Sequence, residues 1–133
     1  MIEPAWIALD ALLLLHEESV AEHGGRAGVP DLGLLQSALA RPQNLFAYEG
    51  EGDIARLAAA YAYGIARNHP FADGNKRAAF LSIGLLVAIN GWRLVADKAE
   101  ATVVMLDLAA GELEEGALAG WIRERLVRRA PQP

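Results

Sequence analysis

His69-Pro70-Phe71-Ala72-Asp73-Gly74-Asn75-Lys76-Arg77 joins two apolar segments of this 133-residue chain and carries the densest chemistry in it. Before it, Ile54, Leu57, Ala58, Tyr61 and Ile65 recur at helical spacing behind Asp53, a residue type suited to an N-cap. Pro70 has no N–H and restricts the residue it follows, so this helix should end near Asn68 or His69. After it, the sequence from Ala78 to Trp92 holds no charged residue. A helix is expected there from Asn75 or Lys76 to Asn90, with Gly91 as its stop. A helix that is apolar on nearly every side is usually surrounded by others. The nine residues therefore form a loop between two central helices and open onto a helix N-terminus, which favours anions.

Working outward, the rest of the chain also reads as helical. A first helix is expected from about Pro4 to Glu22, with an apolar stripe of Trp6, Ile7, Leu9, Leu13 and Val20. His23-Gly24-Gly25-Arg26-Ala27-Gly28 ends it as a structural turn. Asp31 caps a second helix, Leu32 to Ala40, that should stop before Pro42. The mixed stretch Arg41 to Gly52 reads as a loop or a short hairpin. Asp97 with Glu100 opens a fifth helix that Gly111 ends, and a sixth covers about Glu114 to Arg129. The expected architecture is all-α: one compact domain spanning 1–133, a bundle of about six helices with a short flap.

Composition agrees and narrows the function. Ala and Leu dominate a chain that is 53% hydrophobic, which favours helices over strands. There are no cysteines, so disulfides, thiolate zinc sites and cysteine nucleophiles are excluded. The formal charge of −5, without a broad basic face, argues against direct nucleic acid binding. Arg123, Arg125, Arg128 and Arg129 read as a solvated helix face. The uncharged run from Ala78 to Trp92 is shorter than the roughly 20 residues that span a bilayer. No basic leader precedes Glu3 and Asp10, so a cytoplasmic protein is the default.

Within the loop, His69 is the side chain suited to taking a proton near neutral pH. Asp73 can help hold magnesium when phosphates and waters complete the shell. Gly74 permits a backbone that presents N–H groups to an anion. Asn75 can cap the next helix or reach a phosphate. Lys76 and Arg77 stand in the first helical turn, where cations oppose the helix dipole and a bound polyphosphate would offset them. Taken singly, each has an ordinary use as a turn or cap residue. As an ordered set between apolar helices, they suit phosphate chemistry on a nucleotide.

HPFADGNKR resembles the signature of the Fic superfamily: His-Pro-Phe, any residue, Asp or Glu, Gly-Asn, Gly or Lys, Arg. The lysine, the short length, His23-Gly24-Gly25 with Gly28 and Asp31, the segment Leu34 to Pro42, Ala66-Arg67-Asn68 and Asn90-Gly91 are similar to its death-on-curing (Doc) branch. Those proteins are the toxins of type II toxin–antitoxin pairs. The resemblance extends from about residue 5 to 127. It implies that His69 is a general base acting on a hydroxyl of a target protein and that Asp73 binds Mg²⁺. It also implies that Gly74, Asn75, Lys76 and Arg77 cradle the phosphates of ATP, with Arg67 as a further cation. The stretch from about Asn44 to Gly52 matches the family flap in position.

Two positions depart from the wider superfamily. Lys76 stands where nucleotidyl-transferring members carry a second glycine, and Phe80 where they carry a second arginine. The branch that shares these features implies kinase-like transfer of the γ-phosphate, with elongation factor Tu as the family target and arrest of translation as the outcome. Gly74 keeps nucleotidyl transfer open, and a non-catalytic partner of an antitoxin in operon regulation is a third reading. The inhibitory pattern of some Fic proteins, Ser or Thr four residues before the glutamate of Glu-Gly, is missing. Leu45, Ala47 and Gly111 stand at that spacing from Glu49, Glu51 and Glu115. A separate antitoxin polypeptide is therefore implied, often one that folds on binding.

Among the remaining residues, His16 beside Glu17 and Glu18 reads as an exposed or partly buried helical histidine. Its spacing of seven from His23 is too loose for a zinc pair. Trp6, Trp92 and Trp121 read as core or interface anchors.

Overall fold

Six helices and two short strands succeed one another in the computed structural model, which describes residues 2–130. They are α1 (Leu9–His23), α2 (Leu32–Glu49), α3 (Ile54–Asn68), α4 (Asn75–Ile89), β1 (Trp92–Leu94), α5 (Lys98–Ala110), α6 (Glu115–Arg123) and β2 (Leu126–Arg128). Met1 and residues 131–133, the ends of the expected 1–133 domain, lie outside the described residues. The all-α class holds.

The centre of the molecule is α3. Leu57, Tyr61 and Ile65 are fully buried there, among alanines that let neighbouring helices approach. Each large side chain so buried stabilises the fold by about 1.5–3 kcal/mol. Helices α2, α4, α5 and α6 pack around it. Helix α4 adds Ile83, Leu86 and Val87 to the same core, as its charge-free sequence requires.

Three boundaries differ from the sequence-based expectation, each because tertiary contacts outweigh a local signal. Helix α1 begins at Leu9, not at Pro4. The preceding residues are pinned in extended form: Ala5 N–H donates to Asn90 Oδ1 at 2.8 Å, and Ile7 N–H to the Tyr61 hydroxyl at 3.1 Å. Helix α2 continues through Pro42 to Glu49, so the expected flap from Asn44 to Gly52 forms no hairpin. An internal proline costs a helix about 3 kcal/mol. Here Pro42 is fully buried, Leu45 packs on the core and Phe46 meets Trp6 edge-on at 5.8 Å. Arg41 pairs with Glu115 at 2.7 Å, which also takes Arg56. Only Gly50 to Asp53 remain as a connection between α2 and α3.

The sixth helix stops at Arg123, short of Arg129. Beyond it, β2 pairs antiparallel with β1, in the register Trp92↔Arg128, Arg93↔Val127 and Leu94↔Leu126. The arginines expected on a solvated helix face have separate partners. Arg123 pairs with Asp53, and Arg125 with Glu100. Arg128 lies over Trp92 at 4.6 Å, and Arg129 donates to the Ala88 carbonyl at 2.8 Å. Trp6, Trp92 and Trp121 pack against the core as partly buried anchors.

Candidate active site

The loop begins where α3 turns. His69 is the C-cap of that helix, at φ 50° and ψ 56°, with its N–H bonded to the Ile65 carbonyl at 3.2 Å. It is the single non-glycine residue with positive φ among the described residues. That left-handed conformation costs a side-chain-bearing residue on the order of 1 kcal/mol. Its residue surface is exposed, while Pro70 and Phe71 beside it are buried. The base candidate therefore stands free on an anchored loop.

Phe71 is the anchor. It is 2% exposed, and its ring lies parallel to that of His16 at 3.8 Å between centroids. Phe71 N–H donates to Asn75 Oδ1 at 2.9 Å, and Asn75 Nδ2 donates to the Phe71 carbonyl at 3.0 Å. The Asn75 amide thus closes the loop on itself. What Asn75 offers an anion is its main-chain N–H.

Gly74, at φ 76°, is the N-cap of α4 and makes no side-chain cap. The first-turn N–H groups of a helix have no acceptor within it. Here they face the loop with no capping oxygen in the way. Lys76 and Arg77 are exposed in this same turn, with Phe80 half-buried one turn on. A groove of about 720 Å³ opens beside them between α1, α4 and the start of α5. Leu15, Leu81, Ala101 and Met105 give it an apolar floor. The Ser19 hydroxyl, which also lines it, is buried without a hydrogen-bond partner among the described residues.

The Asp73 carboxylate is 45% exposed and meets the glycine-rich turn after α1. Arg26 N–H donates to Asp73 Oδ2 at 2.7 Å, and Arg26 Nε to the same oxygen at 3.3 Å. The turn fits because Gly25, at φ 115°, has no side chain: a Cβ there would stand 3.2 Å from the Asp73 Cβ. These contacts, the main-chain bond foremost, hold the Asp73 carboxyl below its ordinary value. Among the described residues, no three His, Cys, Asp or Glu side chains converge on a closed metal cage. One half-exposed carboxylate beside an open helix N-terminus fits a cation such as Mg²⁺ that takes its other ligands from phosphate and water.

Seven site residues were named from the sequence, and six of them, His69 and Asp73 to Arg77, share one loop and one helical turn. The seventh, Arg67, is exposed at the end of α3. Its guanidinium lies over Tyr63 at 5.7 Å and against Gly111.

Two neighbours of the loop escaped the sequence reading. His16, expected as an exposed or partly buried helical histidine, is 2% exposed, with Nε2 donating to the Asp73 carbonyl at 2.7 Å. Its signal was there: Leu12, His16 and Ser19 share one buried face of α1 at helical spacing. Arg26 carried no such signal, because its contact with Asp73 spans 47 residues.

The model of the Fic/DOC family matches residues 6–87. The "Protein kinase doc" of Escherichia phage P1 is 32% identical over 117 residues, covering 88% of this chain and 92% of that protein. The "Toxin Doc" of Mycolicibacterium smegmatis is 41% identical over 75 residues, 56% of this chain and 58% of that protein.

Proposed function

The chain belongs to the Fic/DOC family, and from that premise we propose that it is a Doc-type toxin that moves the γ-phosphate of ATP to a hydroxyl of a target protein. One observation carries this reading: Lys76 stands exposed beside Arg77 in the first turn of α4, directly after the loop that bears His69 and Asp73. A lysine there obstructs the pose in which an α-phosphate would face the histidine. The phage P1 relative named as a kinase supports the same choice.

In this reading the first-turn N–H groups and the side chains of Lys76 and Arg77 hold the phosphates. Asp73 holds Mg²⁺, whose charge offsets that of the phosphates. His69 takes the proton from the attacking hydroxyl. The hydroxyl oxygen bonds to the γ-phosphorus as the bond to the β–γ bridging oxygen breaks, and ADP leaves with that electron pair. The exposure of His69 suits a base that must reach a second protein. Elongation factor Tu is the substrate to try first, with arrest of translation in the cytoplasm as the consequence.

The partner in this reading is a separate antitoxin. The apolar groove beside Lys76 and Arg77 is the place where a segment of it would deny those cations to a nucleotide.

The test is incubation with host lysate and ATP labelled at either the γ- or the α-phosphate. A protein band labelled only from the γ-position, and lost with His69→Ala, is the expected result. Label retained only from the α-position would establish nucleotidyl transfer instead. Growth arrest that survives His69→Ala would leave a non-catalytic antitoxin partner as the function.

A further inference from the structure

Arg26 makes three contacts with the signature loop, and they differ in quality. Its main-chain N–H sits on Asp73 Oδ2 at 2.7 Å, a short bond to an ionised acceptor. Its side chain is held loosely, with Nε 3.3 Å from the same oxygen and Nη2 3.4 Å from the Ala72 carbonyl. That side chain is 80% exposed. The turn itself is fixed to the loop a second time, where Ala72 N–H donates to the Gly28 carbonyl at 3.1 Å. The main-chain contact is therefore permanent architecture, and the guanidinium is an exchangeable cover.

We propose that Arg26 is a nucleotide-binding residue whose guanidinium covers Asp73 in the empty site and swings onto the phosphates of the incoming metal–nucleotide, while its main-chain N–H keeps the carboxylate aimed. The inference rests on the assignment of Asp73 as the cation ligand. Both Arg26 donors use Oδ2, and Oδ1 receives neither. A cation on Oδ1 would stand beside a guanidinium, with Lys76 and Arg77 close in sequence, and like charges would weaken its binding. Phosphate oxygens reverse that balance, because they give the planar guanidinium a bidentate partner. Arg26 thus makes the site poor for a bare cation and good for a cation that arrives with its nucleotide.

The test is titration of the intact protein with Mn²⁺ alone, followed by electron paramagnetic resonance, and with Mn²⁺ plus a non-hydrolysable ATP analogue. Arg26→Ala removes an exposed side chain, so its thermal melt should match the wild type. Mn²⁺ alone should bind this variant about two- to fivefold more tightly, the size of an exposed ion pair. The Mn²⁺–analogue complex should bind it about three- to tenfold more weakly, as expected when a charge-assisted contact to phosphate is lost. Arg26→Lys, which keeps the charge, should fall between the two on both measurements. Weaker binding of Mn²⁺ alone, or an unchanged affinity for the analogue, would overturn the proposal. So would an Arg26→Lys variant that equals Arg26→Ala. Asp73→Asn separates the two levels: if it binds Mn²⁺ as the wild type does, the cation assignment itself fails.

Discussion

His16 and Asp73 are 57 residues apart in sequence, and His16 Nε2 donates to the Asp73 main-chain oxygen at 2.7 Å. The bond ties α1 to the loop at the residue assigned to the cation, while the other face of the arrangement is the His16–Phe71 stack. His16→Leu fills the space but leaves that carbonyl without its donor. Loss of this part-buried hydrogen bond should cost about 1–2 kcal/mol in urea denaturation. Binding of the Mn²⁺–nucleotide complex should weaken as well, and His16→Gln should recover part of both. Unchanged binding in a destabilised His16→Leu would limit the histidine to the core.

His69 combines an exposed residue surface with a left-handed backbone. His69→Gly removes the strain and should raise stability by about 0.5–1 kcal/mol. In a domain of this size that is about 2–4 °C in thermal melting. The same variant should transfer no label to protein. His69→Ala should be equally inactive without the gain in melting temperature, because alanine keeps the Cβ that the conformation disfavours. A glycine variant that melts at or below the wild type would mean the conformation is not strained.

Lys76→Gly is the most direct probe of which phosphate is transferred. It should lower γ-label transfer by at least about tenfold, the loss of one charged phosphate contact. Label from the α-position should rise above its wild-type level. The position lies in an exposed first turn, so the stability cost should stay near the ~1 kcal/mol of a glycine in a helix. If γ-label transfer persists at its full rate, Lys76 does not select the group moved.

Acid stability should report on the Asp73 contact. The Arg26 main-chain N–H first, and its guanidinium second, lower the carboxyl's pKa in the folded state. A carboxyl with a depressed folded value contributes stability that is complete above its unfolded value of about 3.9. That contribution is lost as pH falls through the folded value. Asp73→Asn should therefore flatten the acid limb of a stability curve measured by urea midpoints between about pH 2 and 6. Arg26→Ala should leave most of the depression in place, since the main-chain donor remains. A nuclear magnetic resonance titration of the Asp73 carboxyl in that variant decides the point.

The sequence was most legible where one residue dictates local geometry. Asp31 caps α2, Asp97 caps α5, Gly111 ends α5, and α3 stops at Asn68 ahead of Pro70. The signature loop could be read in the same way, because its chemistry lies within nine consecutive residues. What stayed hidden depends on partners far along the chain. Pro42 looked like a stop, and only burial against the core carries α2 through it. Trp92 to Leu94 become a strand because Leu126 to Arg128 arrive beside them. Three-residue strands leave too short a pattern to recognise in advance. Arg26 and His16 complete the site through the same long-range convergence.

The contacts of Ala5 and Arg129 place both on one end of α4. Ala5 is clamped by the Asn90 side-chain amide, and Arg129 N–H donates to the Gly91 carbonyl at 3.0 Å. The 15-residue helix puts that end about 22 Å from the first turn that bears Lys76 and Arg77. The chain is therefore tied down near both of its described ends at one pole of α4, and the signature loop lies at the other. A domain or label attached beyond either anchor starts from the far pole and leaves the approach of a second protein to His69 clear.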